Sequence, residues 1–174
     1  MCAAATAACA YAAPSKSALC VLAPPPGTSN GINGTVQFIE QAGHVVIRVK
    51  VSGLAPNSVH GFHVHERGDL TQGCTSAGGH FNPFGKQHGG PKDEERHAGD
   101  LGNVTADASG SVDATLVDTV LALSGQCSVL GRSVVLHADA DDLGTGGFPD
   151  SKTTGHAGAR VACGVIGLAA DVEL

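Results

Sequence analysis

Gly61-Phe62-His63-Val64-His65 alternates small or apolar residues with histidine, and this period-two pattern predicts a β-strand. Because strand side chains switch faces at each residue, His63 and His65 emerge on the same face of the strand. Two imidazoles placed side by side in this way can bind one metal ion. The stretch therefore predicts both a strand and the beginning of a metal site.

Other segments show the same alternation, or short apolar runs, between clusters of Gly, Asn, Pro and Asp. With the first strand they give about eight predicted strands: 18–22, 36–38, 45–51, 59–65, 101–106, 112–116, 133–137 and 161–168. The pattern predicts an all-β fold, an eight-stranded antiparallel Greek-key barrel or sandwich of the immunoglobulin-like kind. Two connections, 66–100 and 138–160, are too long for hairpins, and long loops in a compact domain are usually functional.

The size and charge of the chain limit what it can be. Its 174 residues suit one domain, predicted over 17–174, and 25 glycines with few aromatic residues fit an all-β chain with many turns. A net charge of −6 with scattered basic residues argues against nucleic acid as a partner. No apolar run approaches the roughly 18 residues of a membrane span, so we expect no membrane insertion.

Residues 1–16 are rich in alanine and contain no acidic residue. We interpret them as a disordered extension, because no basic region precedes the apolar stretch; a targeting segment, such as a signal-peptide core, is the competing interpretation. We predict a cytoplasmic protein, with a plastid or secreted one as the alternative that depends on this extension. The six cysteines do not by themselves determine a pairing.

The loop 66–100 contains a second set of metal-binding side chains. His80, His88, His97 and Asp100 lie among turn-forming glycines, and three imidazoles with one carboxylate suit a tetrahedral zinc ion. His63, His65 and the distant His137 offer neutral nitrogen ligands, which suit copper in the affinity order of first-row metals. If His80 is shared, copper has four nitrogen ligands.

Two longer stretches resemble the signatures of copper-zinc superoxide dismutase. They are Gly-Phe-His-Val-His-Glu-Arg-Gly-Asp at 61–69 and Gly-His-Ala-Gly-Ala-Arg-Val-Ala-Cys-Gly-Val-Ile at 155–166, and the resemblance extends over residues 18–169. It implies copper on His63, His65, His80 and His137, and zinc on His80, His88, His97 and Asp100. His80 would then bridge the two metals.

The resemblance implies roles for further residues. Asp141 would orient ligand imidazoles on both metals, as carboxylates behind metal ligands commonly do. Cys74 and Cys163 would form a disulfide that ties the metal loop to the last strand. Arg160 would attract the anionic substrate, and His60 would be a structural histidine rather than a ligand.

The activity implied is the disproportionation of superoxide to oxygen and hydrogen peroxide, with copper as the redox metal, zinc as a structural one and His80 as proton carrier. A homodimer and a copper chaperone for metal loading are the implied protein partners. The predicted dimer contacts lie around Arg67, Leu130, Gly131 and Leu168. Arg67 stands where the family often has an aromatic residue, and a charge there weakens an apolar interface unless it is paired.

In the loop 147–154, charged residues that shape the substrate field in animal members are thinned, with Pro149 and Thr153 at two such positions. We expect Lys152 to assist Arg160 in attracting the anion, and Asp150 either to oppose it or to keep bulkier anions from lingering.

Two other functions compete with an active dismutase. A copper chaperone can contain a similar domain, but Cys2 and Cys9 are too far apart for its Cys-x-x-Cys motif and the chain ends without a Cys-x-Cys tail. A zinc-stabilised domain without activity would have lost a copper ligand or Arg160, and neither is missing. Both features favour the enzyme.

Overall fold

The computed structural model describes residues 16–170 of the chain. The predicted extension 1–16 lies, apart from Lys16, outside these residues, so its boundary stays a prediction. Within the described range the strands are β1 (Ser17–Leu22), β2 (Asn33–Gln41), β3 (His44–Ser52), β4 (Val59–His65), β5 (Thr71–Cys74), β6 (Asp100–Thr105), β7 (Val112–Asp118), β8 (Ser133–His137) and β9 (Arg160–Leu168).

Eight of these strands form one sheet in the order β6-β4-β8-β9-β1-β2-β3-β7, and all neighbours are antiparallel. The two end strands, β6 and β7, contact each other, so the sheet curls into a nearly closed barrel. β3 and β4 are consecutive in the chain but lie far apart in the sheet, a crossover that is typical of Greek-key folds. The predicted fold class is confirmed.

The two long connections contain short elements that the sequence did not predict. The first holds β5 and a 3₁₀ turn at Thr75–Ala77, and the second holds a four-residue helix, α1 (Ser151–Thr154). At the start of β5, Asp69 Oδ1 accepts from the backbone N–H of Thr71, 2.9 Å away, whereas the 3₁₀ turn and α1 have no side-chain cap at their N-termini. Elements this short are not long enough to show a hydrophobic period. No helix in the described part of the chain is long and apolar enough to span a membrane.

The hydrophobic core lies inside the barrel. β3 illustrates how it forms, because Val45, Ile47, Val49 and Val51 are buried while Arg48 and Lys50 between them are exposed. Burial of each such side chain stabilises the fold by about 1.5–3 kcal/mol. The alternating inward residues of the other strands complete the same core.

Candidate metal centre

β4 carries two side-chain faces that are both buried. Phe62 and Val64 point into the barrel core, whereas His63 and His65 lie on the opposite face and are nevertheless 0% exposed. The cover comes from the loop 66–99, whose Phe81 N–H donates to Val64 O (2.8 Å). The outer face of β4 is thus shielded from solvent and can carry a polar site.

Glycine permits the close approach of this loop to β4. A Cβ on Gly99 would lie 2.1 Å from Val64 O, so only glycine fits there. In the adjacent segment, His80 forms an isolated antiparallel bridge with His65. This contact brings His80 from the loop onto the histidine face of β4, and Asp100 follows at the start of β6.

One group of four histidines forms on this face. His63, His65, His80 and His137 each offer a ring nitrogen, and these four atoms all lie within 4.8 Å of one another. His137 comes from the end of β8, the neighbour of β4 in the sheet, and its Nε2 is 3.4 Å from Nε2 of His65. The four residues predicted to bind copper are therefore brought together.

A second group adjoins the first and shares His80 with it. His80, His88, His97 and Asp100 also have ligand atoms within 4.8 Å of one another. Asp100 Oδ1 is 2.8 Å from His80 Nδ1 and 3.1 Å from His97 Nδ1, and the two ring nitrogens are 3.4 Å apart. The four residues predicted to bind zinc are also brought together, and all are buried.

Both groups fit metal ions, because the centre contains buried nitrogen atoms that nothing else satisfies. His63 Nδ1, His80 Nε2 and His88 Nδ1 have no hydrogen-bond partner. Such atoms are rare in folded proteins and point to a missing ligand. His88 Nδ1 lies 3.1 Å from Asp100 Oδ2 without hydrogen-bond geometry.

Ligand spacing in the second group suits zinc. Two atoms that are each about 2.0–2.1 Å from a tetrahedral zinc ion are about 3.3 Å apart. The separations of 2.8–3.4 Å among these nitrogen and oxygen atoms are close to that value.

Burial keeps the first group of histidines neutral. It lowers the pKa of His63 to about 3 and that of His137 to about 4, and it also lowers the pKa values of His65 and His80. Neighbouring His80 lowers the pKa of His63 further. Because metal ions bind the neutral imidazole, these histidines are ready to act as ligands at neutral pH.

The second group combines an ionised carboxylate with a more basic histidine. Burial opposes the charge of Asp100, but hydrogen bonds from His80 and His97, together with the imidazole of His88 nearby, outweigh it and hold the pKa of Asp100 well below its usual range. Burial likewise opposes protonation of His88, but the adjacent carboxylates of Asp100 and Asp141 raise its pKa to about 9. The carboxylate thus supplies a negative charge for a divalent ion.

Asp141 joins the two groups from behind. Its carboxylate lies 2.7 Å from His63 Nε2 and 2.8 Å from His88 Nε2, on the far side of each ring from the free Nδ1. Asn103 holds the Asp141 backbone with two hydrogen bonds, one to its carbonyl (2.9 Å) and one from its N–H (2.8 Å). These contacts orient one imidazole of each group. The sequence predicted Asp141 but not Asn103, whose position on β6 carries no motif.

A disulfide joins the loop to the last strand. Cys74 and Cys163 are bonded, with their Cα atoms 5.7 Å apart, which confirms the predicted pairing. Around it Ala77 and Val135 form a small apolar cluster outside the barrel. Of the other cysteines, Cys20 and Cys127 are free, and burial raises the pKa of the Cys20 thiol to about 12; Cys2 and Cys9 lie outside the described residues.

Arg160 lies at the start of β9 and is fixed by the loop. Its Nη1 donates to Cys74 O (2.7 Å) and its Nη2 to Gly78 O (2.7 Å). Gly78 O is also the partner of His65 Nδ1, at 2.9 Å. The guanidinium is near enough to contribute, after burial and His80, to the lowered pKa of His65. The positive charge is therefore held rigidly beside the first group.

Two further polar residues near the centre have structural contacts. His60 bonds through both ring nitrogens, to His137 O and Ser58 Oγ at 2.7 Å each, which fits the structural role expected for it. Arg96, which the sequence analysis missed, is buried and donates to Asp100 O (2.7 Å) while pairing with Asp118. The only signal in the sequence was that Arg96 directly precedes the predicted ligand His97.

The two charged residues of the loop 147–154 make different contacts. Lys152 O accepts from His88 N–H (2.9 Å), and its Nζ lies 3.3 Å from where a Cβ on Gly144 would stand. Asp150 Oδ1 is 2.7 Å from His156 Nδ1. The predicted effects of Lys152 and Asp150 on an approaching anion stay predictions.

The fold and the site together define a class of protein: a Greek-key β-barrel that presents two adjoining metal-ligand groups on one outer face. Comparison with known sequences narrows this class. The family described as copper/zinc superoxide dismutase matches residues 32–166. The chain belongs to this family.

Individual relatives agree with the family match. The chain is 55% identical over 138 residues to Superoxide dismutase [Cu-Zn] of Paramecium bursaria Chlorella virus 1, covering 79% of this chain and 74% of the viral protein. It is 56% identical over 139 residues to Superoxide dismutase [Cu-Zn] of Candida albicans (79% and 90%). It is 55% identical over 145 residues to Superoxide dismutase [Cu-Zn] 2 of Mesembryanthemum crystallinum (83% and 92%). The resemblance read from the two signatures is confirmed, and with it copper and zinc as the cofactors.

Proposed function

We propose that this chain catalyses the disproportionation of superoxide to oxygen and hydrogen peroxide at a two-metal centre bridged by His80. As a member of its family it is an oxidoreductase that acts on superoxide. His63, His65, His80 and His137 would hold copper, and His80, His88, His97 and Asp100 would hold zinc. The observation that carries the proposal is the position of His80 in both ligand groups, with Nδ1 toward Asp100 and a buried, unpartnered Nε2.

When bound, copper supplies one-electron redox chemistry and zinc supplies a fixed positive charge. His80 supplies a proton in this scheme: its Nε2 takes up one proton and passes it to the reduced superoxide. Two superoxide ions and two protons give one oxygen and one hydrogen peroxide, so the second proton comes from solvent. Proton transfer from a positioned side chain typically contributes about 10²–10⁴-fold to a rate.

The surrounding carboxylates keep His80 and its neighbours oriented. Asp100 fixes the Nδ1 side of His80, so that Nε2 keeps its direction when its proton comes and goes. Asp141 does the same for His63 and His88 by accepting at their Nε2 atoms. Loss of such partners behind metal ligands usually costs about 10–100-fold in metal affinity or activity.

Arg160 would draw the substrate to the site. Superoxide is a small anion, and guanidinium stays charged at any working pH. Hydrogen bonds to Cys74 O and Gly78 O hold this group still, so it needs no reorganisation when the anion arrives. The disulfide at Cys74 thereby supports the position of the guanidinium as well as the loop.

A copper titration followed by a superoxide-consumption assay tests the proposal. The zinc-loaded protein should gain activity in proportion to added copper until one copper is bound per chain. If copper binds at this ratio but no superoxide is consumed, the dismutase activity is rejected, and the protein is a copper carrier or an inactive domain. Failure to bind copper at the histidine centre would reject the ligand assignment itself.

We also propose a homodimer through the face around Arg67. The predicted contact segments meet on one surface, because a Cβ on Gly68 would lie 2.5 Å from Gly131 O and 3.0 Å from Val165. Val165 and Leu168 expose 43% and 77% of their surface there. Arg67 is paired with Glu66 at 2.8 Å, which reduces the cost of its charge in an interface. Sedimentation at micromolar concentration should give a dimer, and a single monomeric species would reject this surface.

Two expectations from the sequence carry over as proposals. A copper chaperone would load the metal, since the centre is covered by loops. The protein would act in the cytoplasm, which fractionation of cells that express the chain with an epitope tag would test.

A further inference from the structure

Residues 155–158 form the roof over the Asp141 carboxylate. A Cβ on Gly155 would lie 2.0 Å from Asp141 Oδ1 and 2.5 Å from His88 Nε2. The backbone of Gly155 therefore packs directly against the hydrogen bond between Asp141 and His88. Gly155 O also accepts from Asp142 N–H at 2.8 Å. The position of this backbone therefore decides how Asp141 meets His88.

The next buried residue of the roof contacts the other side of the centre. Ala157 is 1% exposed, and a Cβ on Gly61 of β4 would lie 2.7 Å from Ala157 Cβ and 3.3 Å from His63 Cε1. Ala157 O accepts from Asp139 N–H at 3.0 Å. A shift of the roof would thus change the packing around His63 as well as around His88.

His156 lies between these two buried residues, and its own backbone is strained. Its φ is +50°, in the left-handed region that only a few per cent of residues other than Gly adopt, with Asn, Asp and His more frequent there than the rest. Such a conformation persists only where the surrounding structure fixes it, and it is concentrated at functional sites. The exposed side chain of His156 has no contact with the metal ligands that would explain it.

Two contacts outside the centre hold His156 in this conformation. Its ring stacks on Phe148, with centroids 3.8 Å apart and planes 10° from parallel. Its Nδ1 lies 2.7 Å from Asp150 Oδ1. Phe148 and Asp150 precede α1 and His156 follows it, so the stack links the two ends of the segment 148–156 that contains the helix. Phe148 is 50% exposed and outside the barrel core, so it is not needed to complete that core.

We propose that the stack of Phe148 on His156, which we call the roof clip, positions Asp141 and through it the zinc ligand His88. Phe148 and His156 are positioning residues, since neither touches a metal ligand. The inference rests on the proposed function, because it assumes that His88 binds zinc. It assigns a role to two residues that neither metal group includes.

Zinc release from the fully metal-loaded protein tests the roof clip. Phe148→Leu removes the ring but keeps an apolar side chain, and His156→Asn removes the stack while keeping a residue type that tolerates the left-handed backbone. Both should release zinc to a chromophoric chelator about 3–10-fold faster than wild type, less than the 10–100-fold that direct partners of ligands give. Phe148→Tyr keeps the ring and should release zinc at the wild-type rate.

A second measurement separates positioning from general stability. With Co²⁺ in place of zinc, the visible spectrum reports ligand geometry, and it should change in Phe148→Leu and His156→Asn but not in Phe148→Tyr. Denaturant midpoints of the metal-free proteins should all agree with wild type. An unchanged cobalt spectrum, or wild-type zinc release in both ring-removing variants, would overturn the roof clip. If Phe148→Leu does not fold, His156→Asn decides alone. Wild type that fails to bind zinc would instead reject the proposed function.

Discussion

β3 and β4 have similar alternating sequences but different surroundings. In β3, Ile47 and Val49 face the core while Arg48 and Lys50 face solvent. In β4, the same alternation places Phe62 and Val64 in the core but His63 and His65 beneath a loop, so that six of its seven residues are buried. Alternation thus reveals which residues share a face, but not whether water reaches that face.

The two strands also differ in what stabilises them. Burial of aliphatic side chains accounts for β3 and its neighbours. The centre on β4 instead contains three buried nitrogen atoms without partners, and each such group costs about 1–3 kcal/mol. Metal binding removes that cost. The stability of β4 and the loop that covers it therefore depends on bound metal, whereas the stability of β3 does not.

The largest expected effect is that of His80→Ala on activity. The change removes a ligand from both metals and the proposed proton donor, so turnover of the copper-loaded variant should fall by about 10²–10⁴-fold. His44→Ala, a histidine on β3, is the matched control and should keep wild-type turnover. Near wild-type turnover of the His80 variant would show that the bridge is not needed.

The next effect is on substrate capture by Arg160. Arg160→Glu should lower the second-order rate by about 10–10³-fold with copper content unchanged, because local potential controls the approach of a small anion. The dependence of the rate on salt should flatten or reverse. Pulse radiolysis at low and high ionic strength measures both.

A control separates charge from the hydrogen bonds that Arg160 makes to the loop. Arg160→Lys keeps the charge but loses the planar fork, so it should retain most of the salt dependence while losing part of the rate. If Arg160→Glu matched wild type at both salt concentrations, Arg160 would have only the structural role.

A smaller effect is expected when the disulfide is removed. Cys74→Ser breaks the link between β5 and β9, which should lower the free energy of unfolding by about 2–4 kcal/mol. Denaturant unfolding measures it. Cys127→Ser, a partly exposed free cysteine, serves as the control and should change little. Equal losses in the two variants would contradict the anchoring role of the disulfide.

The smallest effect is expected on the solvent side of β3. Lys50 and Asp113 are 3.6 Å apart with side chains 68% and 79% exposed. Such exposed pairs contribute about 0.2–1 kcal/mol, so Lys50→Ala should barely change the unfolding midpoint or zinc content. A loss as large as that of Cys74→Ser would show that the outer face of β3 matters as much as that of β4.

Much of the fold could be predicted, because most strands of the barrel sheet have an inner face whose apolar residues recur with period two. Val45 to Val51 is the clearest case. β6 is an exception, since its core residues Leu101 and Val104 are three positions apart. β5 and α1 could not be predicted, since elements of four residues are too short to show a hydrophobic period.

The ligand sets could be proposed because histidine is uncommon and its spacing in the loop is dense, and two family signatures supported them. The residues that hold the ligands in place have no motif or spacing that marks them in the sequence. Asn103 reaches Asp141 across 38 positions, and Gly155 matters through the space that it leaves free. The stack of Phe148 on His156 depends on the path of α1, which the sequence did not predict.

The central claim is that His80 is shared by two metals on the covered face of β4. Electron paramagnetic resonance of protein with Cu²⁺ in the first group and Co²⁺ in the second tests it most directly, because two paramagnetic ions that share one imidazole are magnetically coupled. The copper signal should be full with zinc in the second group and should nearly vanish with cobalt. In His80→Ala loaded with both ions, the copper signal should persist. A full copper signal beside cobalt in the wild-type protein would contradict the bridge.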